Sequence, residues 1–248
     1  MLRTLTALLC LVLMVAPAAA IVGDAKPVDP AVAPHVVMIA GAPGVCSGVA
    51  IAPDLVLTAA HCVSKSGNYK IAALDERRRM TARAVEKTAA HPQFAPRDDA
   101  PDVALVKLAA KPPPKLMPVP FSERRVITVG DHFIVAGFGL TNQTDRKSAG
   151  KLRTATLMAT NKPNSQIINL VDPDTLGEKA GLGVCNGDSG GPVFERRDGK
   201  LALVGIISWT AGPDSEPRCG FISGIIPLQR YHFWITDTAA KLGSPLEP

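Results

Sequence analysis

Aromatic residues are scarce in this 248-residue chain: two tryptophans, two tyrosines and seven phenylalanines, 4% of the total. A core with so few rings relies on Val, Ile, Leu and Ala, a composition that suits β-strands. Charge of one sign is lacking too. The formal balance is +5, or +4 without Arg3, and no basic stripe with interleaved aromatics occurs, which excludes a nucleic-acid footprint. The one dense basic cluster, Arg77-Arg78-Arg79, follows Asp75-Glu76. Cysteine is sparse, with five in all. The only Cys–His neighbours, His61-Cys62, cannot chelate one ion together, so neither a metal site nor a cofactor is expected. Past residue 20 no apolar run is long enough for a membrane helix. Apolar residues at 46% and charged residues at 20% exclude a disordered chain and fit one compact globular unit.

What is present begins with a leader. Arg3 carries positive charge, Leu5 to Val15 is an apolar stretch too short to span a bilayer, and Ala18-Ala19-Ala20 offers a small-residue cleavage site. Residues 1–20 are therefore expected to be a secretory signal, and the mature chain to be secreted into a periplasm or the extracellular space, without membrane attachment. Cys10 leaves with the leader. The other four cysteines form an even set suited to an oxidising compartment, and sequence alone allows three pairings.

Short β-branched runs follow one another, punctuated by proline and glycine: Val36 to Ala40, Val45 to Ile51, Leu55 to Thr58, Val103 to Leu108, Phe133 to Ala136, Leu201 to Ser208 and Gly220 to Ile226. This texture predicts an all-β sandwich or barrel. Helical periodicity enters only at Tyr231 to Leu242.

The run Gly187-Asp188-Ser189-Gly190-Gly191-Pro192, with Thr58-Ala59-Ala60-His61-Cys62 far upstream, offers a nucleophile and a base. A serine hydroxyl attacks a carbonyl only when an imidazole takes its proton and backbone N–H groups stabilise the oxyanion. Glycine before the serine lets its own N–H and that of Ser189 turn into one hole. Asp102, heading the apolar run Val103 to Leu108, is the candidate to orient the imidazole. Asp98 and Asp99 lie in a polar, proline-flanked stretch that reads as exposed loop. His35, His91, His132 and His232 lack companion motifs and are assigned no role.

In the order His, Asp, Ser, these segments resemble the trypsin/chymotrypsin family of serine proteases. Further matches are Ile21-Val22-Gly23, Cys46-Ser47-Gly48, Gly137-Phe138-Gly139 in place of the family's Gly-Trp-Gly, Ser208-Trp209 and Trp234-Ile235. Asp24 departs from the family's second glycine, and three arginines replace the carboxylates of its calcium loop. The resemblance implies two antiparallel Greek-key β-barrels packed at right angles, with a C-terminal helix. Residues 21–124 would form the first barrel, carrying His61 and Asp102, and 125–248 the second, carrying Ser189. Lys111 to about Arg125 would cross between them.

The same resemblance implies disulfides Cys46–Cys62 and Cys185–Cys219, catalysis by His61, Asp102 and Ser189, and an oxyanion hole from Gly187 and Ser189. It also implies an ion pair between Asp188 and the free amino group of Ile21, held into mild alkali because pairing raises the ammonium pKa. Ala20 abuts Ile21, so signal removal there would produce that terminus directly. The pocket is read from Gly183, Val184, Ser208, Trp209 and Thr210, with Ser223 or Gly224 on the second wall. No carboxylate stands at Gly183 to meet a lysine or arginine, and Thr210 narrows the slot. The combination is closest to elastase-type members and predicts cleavage after small or medium aliphatic residues, unless Asp214 or Glu216 admits a cation from the side. Peptide or protein substrates and proteinaceous inhibitors are the expected partners of a monomer. A narrow-specificity processing protease, or a non-enzymatic binding protein on the same fold, are the alternatives.

Overall fold

The computed structural model describes residues 21–41, 44–65, 67–75, 77, 79–97, 100–109, 116–123, 126–160, 166–213 and 218–246. The leader, Glu76, Arg78, Asp98, Asp99, Lys111 to Lys115, the 124/125 boundary, Asp214 and Glu216 lie outside the described residues.

In chain order, a two-residue strand β1 (Lys26–Pro27) precedes β2 (Val36–Gly41), β3 (Gly44–Ala52), β4 (Leu55–Thr58), β5 (Lys70–Leu74), β6 (Met80–Ala90) and β7 (Ala104–Leu108). Strands β2 to β7 close a six-stranded barrel in the order β2-β3-β4-β7-β6-β5, every pairing antiparallel. Then come β8 (His132–Gly137), β9 (Arg153–Ala159), β10 (Ile168–Val171), β11 (Pro192–Arg197), β12 (Lys200–Ala211), β13 (Ile222–Pro227) and helix α1 (His232–Lys241). These six strands form a second antiparallel barrel, closed by pairing β8 with both β9 and β11. Two barrels and a terminal helix were expected, and that is the architecture observed. Closure removes the free edges that an open sheet would expose.

Each barrel has an aliphatic core. Val37, Ile71, Val106 and Leu116 fill the first, with Phe133, Leu157, Ile207 and Ile225 in the second. The largest cluster spans both, joining Val49, Leu55 and Leu105 of the first barrel to Phe138, Phe194 and Ile206 of the second, with Ile235 and Ala239 of α1 on top. Burying such side chains stabilises by about 1.5–3 kcal/mol each, and here it fixes one barrel against the other. Residues 21–27 precede the first barrel in sequence yet belong to the second in space: β1 pairs with β9, and Ile21 is fully buried among second-barrel residues.

Candidate active site

Strand pairing brings the candidate base and the candidate orienting carboxylate together. Thr58 at the end of β4 opposes Ala104 at the start of β7. His61 lies in the 3-10 turn just after β4, and Asp102 lies two residues before β7. Asp102 Oδ2 sits 2.8 Å from His61 Nδ1, and Oδ1 accepts from the His61 backbone N–H at 3.0 Å. Burial pushes the Asp102 carboxyl up, but hydrogen bonds from His61 and Ser208, with the attraction of the imidazole, outweigh it and hold the group below the usual carboxylate range.

Ser189 reaches the same place from the second barrel, in the loop before β11. The Ser47 N–H on β3 donates to the Ser189 carbonyl at 2.8 Å, and the Ser47 hydroxyl donates to the Gly187 carbonyl at 2.9 Å. That hydroxyl also accepts from Phe138 N–H at 2.9 Å, and Thr58 Oγ1 donates to the Ser47 carbonyl at 2.8 Å. Ser47 therefore sutures the loop of Ser189 to the barrel of His61. No local motif marks this role, although Ser47 stands inside Cys46-Ser47-Gly48.

The Ser189 hydroxyl points to the Ser208 carbonyl at 3.3 Å, while His61 Nε2 lies 3.6 Å from Cys62 Sγ. Gly187 has φ +98°, a region open to glycine, and its Cβ would stand 2.9 Å from the Gly139 Cα. Among the described residues, neither Gly187 N–H nor Ser189 N–H has an internal acceptor. Cys46 is joined to Cys62 beside His61, and Cys185 to Cys219 beside the Ser189 loop. The Cys46 and Cys62 sulfurs come within 4.8 Å of a His61 nitrogen, but both belong to the disulfide and neither is a thiolate ligand.

Asp188 is fully buried, accepting from Gly139 N–H and Cys185 N–H at 2.8 Å each. Burial pushes its carboxyl up to about 7 despite those two donors. A Cβ at Gly137 would fall 2.2 Å from Asp188 Oδ1, and one at Gly139 would fall 2.6 Å from its Cγ, which is why glycines flank Phe138. Ile21 is also fully buried, packed in a cluster with Val184, and Val22 N–H donates to the Gly183 carbonyl at 3.1 Å.

The pocket candidates fall along β12, β13 and the segment before Cys185. A Cβ at Gly183 would meet the Gly220 Cα at 2.8 Å, so no larger residue fits there. Val184 is buried, and its N–H donates to Ser223 Oγ at 3.2 Å. Thr210 opposes Ser223 and Trp209 opposes Gly224 in the β12–β13 register, so both second-wall candidates lie beside the Ser208–Thr210 edge. The Thr210 hydroxyl lies 2.9 and 3.2 Å from the Arg218 and Ile222 carbonyls. Ser208 contributes its backbone to this edge, but its hydroxyl donates to Asp102 Oδ2 at 2.6 Å, a link that motif reading did not anticipate.

Comparison with known proteins identifies the family. The trypsin family model matches residues 21–235. Human kallikrein-5 is 27% identical over 206 residues, 78% of this chain and 67% of its own. The solved structure of neuropsin, a serine protease expressed in the limbic system of mouse brain, superposes with a TM-score of 0.68 at 23% identity, covering 88% of this chain and 99% of its own. The chain belongs to the trypsin family and is a serine endopeptidase.

Proposed function

We propose that this endopeptidase acts after export, with Ser189 as nucleophile, His61 as base and Asp102 as its orienting partner, and that it cleaves after small or medium aliphatic residues. The observation that carries the reading is the 2.8 Å contact of Asp102 Oδ2 with His61 Nδ1, in a cleft that His61 shares with Ser189 and Gly187. With Nδ1–H donating to Asp102, Nε2 is left bare to accept a proton. Substrate binding turns the Ser189 hydroxyl from the Ser208 carbonyl toward Nε2, a tightening common when an empty site fills.

Ser189 Oγ then bonds to the substrate carbonyl carbon while its proton passes to His61. The oxyanion is met by the N–H groups of Gly187 and Ser189, and His61 returns the proton to the departing amine as the peptide C–N bond breaks. Water repeats the sequence on the acyl-enzyme. Losing one oxyanion donor costs roughly 10²–10³ in kcat in enzymes of this chemistry.

The pocket supports the aliphatic preference. Gly183 and Gly220 close its base with backbone, and Thr210 with its cross-strand neighbour Ser223 lies along one edge of it. No carboxylate among those residues balances a buried cation. The expected inhibitors are proteins that present the same peptide geometry, and the expected working form is a monomer.

The junction supports activation by export itself: Ala20 abuts Ile21 in the sequence, and Ile21 is fully buried in the second barrel, so a cut between them would free an ammonium for Asp188.

A panel of peptide p-nitroanilides tests the specificity. Mature enzyme starting at Ile21 should favour Ala, Val or Thr before the cleaved bond by at least tenfold over Lys, Arg and Phe; a preference for Lys or Arg would overturn the pocket reading. Intact-mass analysis tests the activation, which fails if active exported protein carries residues before Ile21.

A further inference from the structure

The turn at residues 218–220 supplies backbone to the base of the proposed pocket, and it is pinned at successive peptide groups. The Thr210 hydroxyl lies 2.9 Å from the Arg218 carbonyl, and Gly181 N–H donates to the Gly220 carbonyl at 2.9 Å. Between these two, Cys219 N–H donates to the side-chain carbonyl of Gln143, Oε1, at 3.1 Å. Cys219 is buried and disulfide-bonded to Cys185, and a buried N–H left without an acceptor is costly. The partner comes from 76 residues upstream, outside every strand of the pocket.

Gln143 sits in a loop that holds it in place. Residues 140–150 run between β8 and β9, and both ends are tied: Leu140 N–H donates to the Asn186 carbonyl and Gly150 N–H to the Phe138 carbonyl, each at 2.8 Å. At the centre, the Ser148 hydroxyl accepts from Thr141 N–H and Asn142 N–H at 3.1 and 3.2 Å, and Asn142 Oδ1 accepts from Thr144 N–H at 3.0 Å. Leu140 and Ala149 pack with Cys185, Cys219 and Val22, so the loop meets the turn through apolar contact as well as through the Gln143 amide. The turn has little slack to absorb a displacement. Gly220 has φ +82°, a Cβ on it would stand 2.6 Å from the Gly181 carbonyl oxygen, and its Cα would stand 2.8 Å from a Cβ at Gly183. Packing this close transmits a shift of the turn to the pocket base.

We infer that Gln143 is a positioning residue for substrate specificity: its side-chain carbonyl holds Cys219 N–H, and through it the Cys219–Gly220 backbone that closes the pocket to side chains larger than valine. The inference rests on the pocket reading above. Gln143 acts through the turn and not on Ser189, so its loss changes which residue is accepted before it changes the acyl chemistry.

Two variants separate the hydrogen bond from the packing. Gln143→Met removes the acceptor at nearly constant volume, and Gln143→Glu keeps an acceptor on the same stem. Each is made in the mature enzyme starting at Ile21, and kcat and KM are measured for peptide p-nitroanilides with Ala, Val, Leu or Phe before the cleaved bond. In Gln143→Met the preference for Val over Phe should shrink about tenfold, through a lower KM for Leu and Phe rather than a general fall in kcat. Gln143→Glu should keep the order of the unaltered enzyme. Hydrogen exchange at the Cys219 amide should quicken in Gln143→Met and not in Gln143→Glu. An unchanged Val-to-Phe ratio in Gln143→Met, or the same change in both variants, would overturn the proposal. Equal losses on all four substrates together with a lowered Tm would also overturn it, since the bond would then be structural alone. The pocket reading is judged on the unaltered enzyme, where a preference for Lys or Arg would overturn it; the Gln143 proposal is judged on the difference between the variants.

Discussion

The Ser47 hydroxyl, on a strand of the first barrel, donates to the Gly187 carbonyl of the second at 2.9 Å. Ser47 is fully buried, so this bond and the one it accepts from Phe138 N–H have no water to replace them. Ser47→Ala should lower stability by about 1–3 kcal/mol, the cost of stranding buried polar groups. Because Gly187 is the proposed oxyanion donor, kcat should fall tenfold or more with KM little changed. Denaturant unfolding and steady-state kinetics on one preparation check both, and a stability loss with kcat unchanged would restrict Ser47 to a structural role.

Asp102 couples the site to acid. Its carboxyl is held below the usual range in the folded chain, so its contribution to stability is present above the ordinary carboxylate pKa and is lost as pH falls through the folded value. In Ser208→Ala the 2.6 Å donor to Oδ2 is gone. The Asp102 pKa should move up, the acid unfolding midpoint should shift to higher pH, and kcat should drop severalfold. Unfolding followed by circular dichroism between about pH 2 and 6 reads the shift across the carboxylate range.

Asp188 carries the opposite sign. While Ile21 remains internal, burial lifts the Asp188 carboxyl from 3.8 to about 7. A raised folded pKa gives stability that is complete below the unfolded value and disappears as pH rises through about 7. A free Ile21 ammonium would pair with the carboxylate and remove that loss. The chain still joined at Ala20 should therefore be less stable at pH 8 than at pH 5, and the mature form should lose less over the same interval. Denaturant midpoints of the two forms at both pH values check this, and identical pH profiles would contradict the Ile21–Asp188 pair.

Another link between distant segments joins β7 to the C-terminal end of the chain. Lys107 Nζ on β7 donates to Asp54 Oδ2 at 2.6 Å and to Ser244 Oγ at 2.5 Å, and Ser244 Oγ donates to Asp54 Oδ1 at 2.6 Å. Lys107 is buried, and the Asp54 side chain is 41% exposed. Asp54→Ala should cost about 1–3 kcal/mol, less than the roughly 3–5 kcal/mol seen when a fully buried pair is broken, because solvent screens Asp54. Thermal or denaturant unfolding reads it, and a change below about 0.5 kcal/mol, the scale of an ordinary surface substitution, would show the clasp to be idle.

Sequence made part of this structure legible and left the rest to tertiary context. Leu55 to Thr58 is a strand with those bounds, and Val36 to Ala40 and Val45 to Ile51 extend by one or two residues, because continuous β-branched runs leave little choice. Strands β6 and β9 were not singled out: MTARAVEKTAA and RTATLMA are rich in Ala, Thr and charge, and barrel closure rather than propensity makes them strands. His61, Asp102 and Ser189 were named from motifs. Ser47 and the Ser208–Asp102 bond were not, since a hydroxyl's partner 91 or 106 residues away leaves no local pattern.

Reaction of the mature protein with a fluorophosphonate probe, with the labelled residue mapped by mass spectrometry beside a Ser189→Ala control, tests the central claim most directly. The account predicts one adduct, on Ser189, absent from the control. No adduct in a sample that starts at Ile21, or an adduct on another serine, would contradict it.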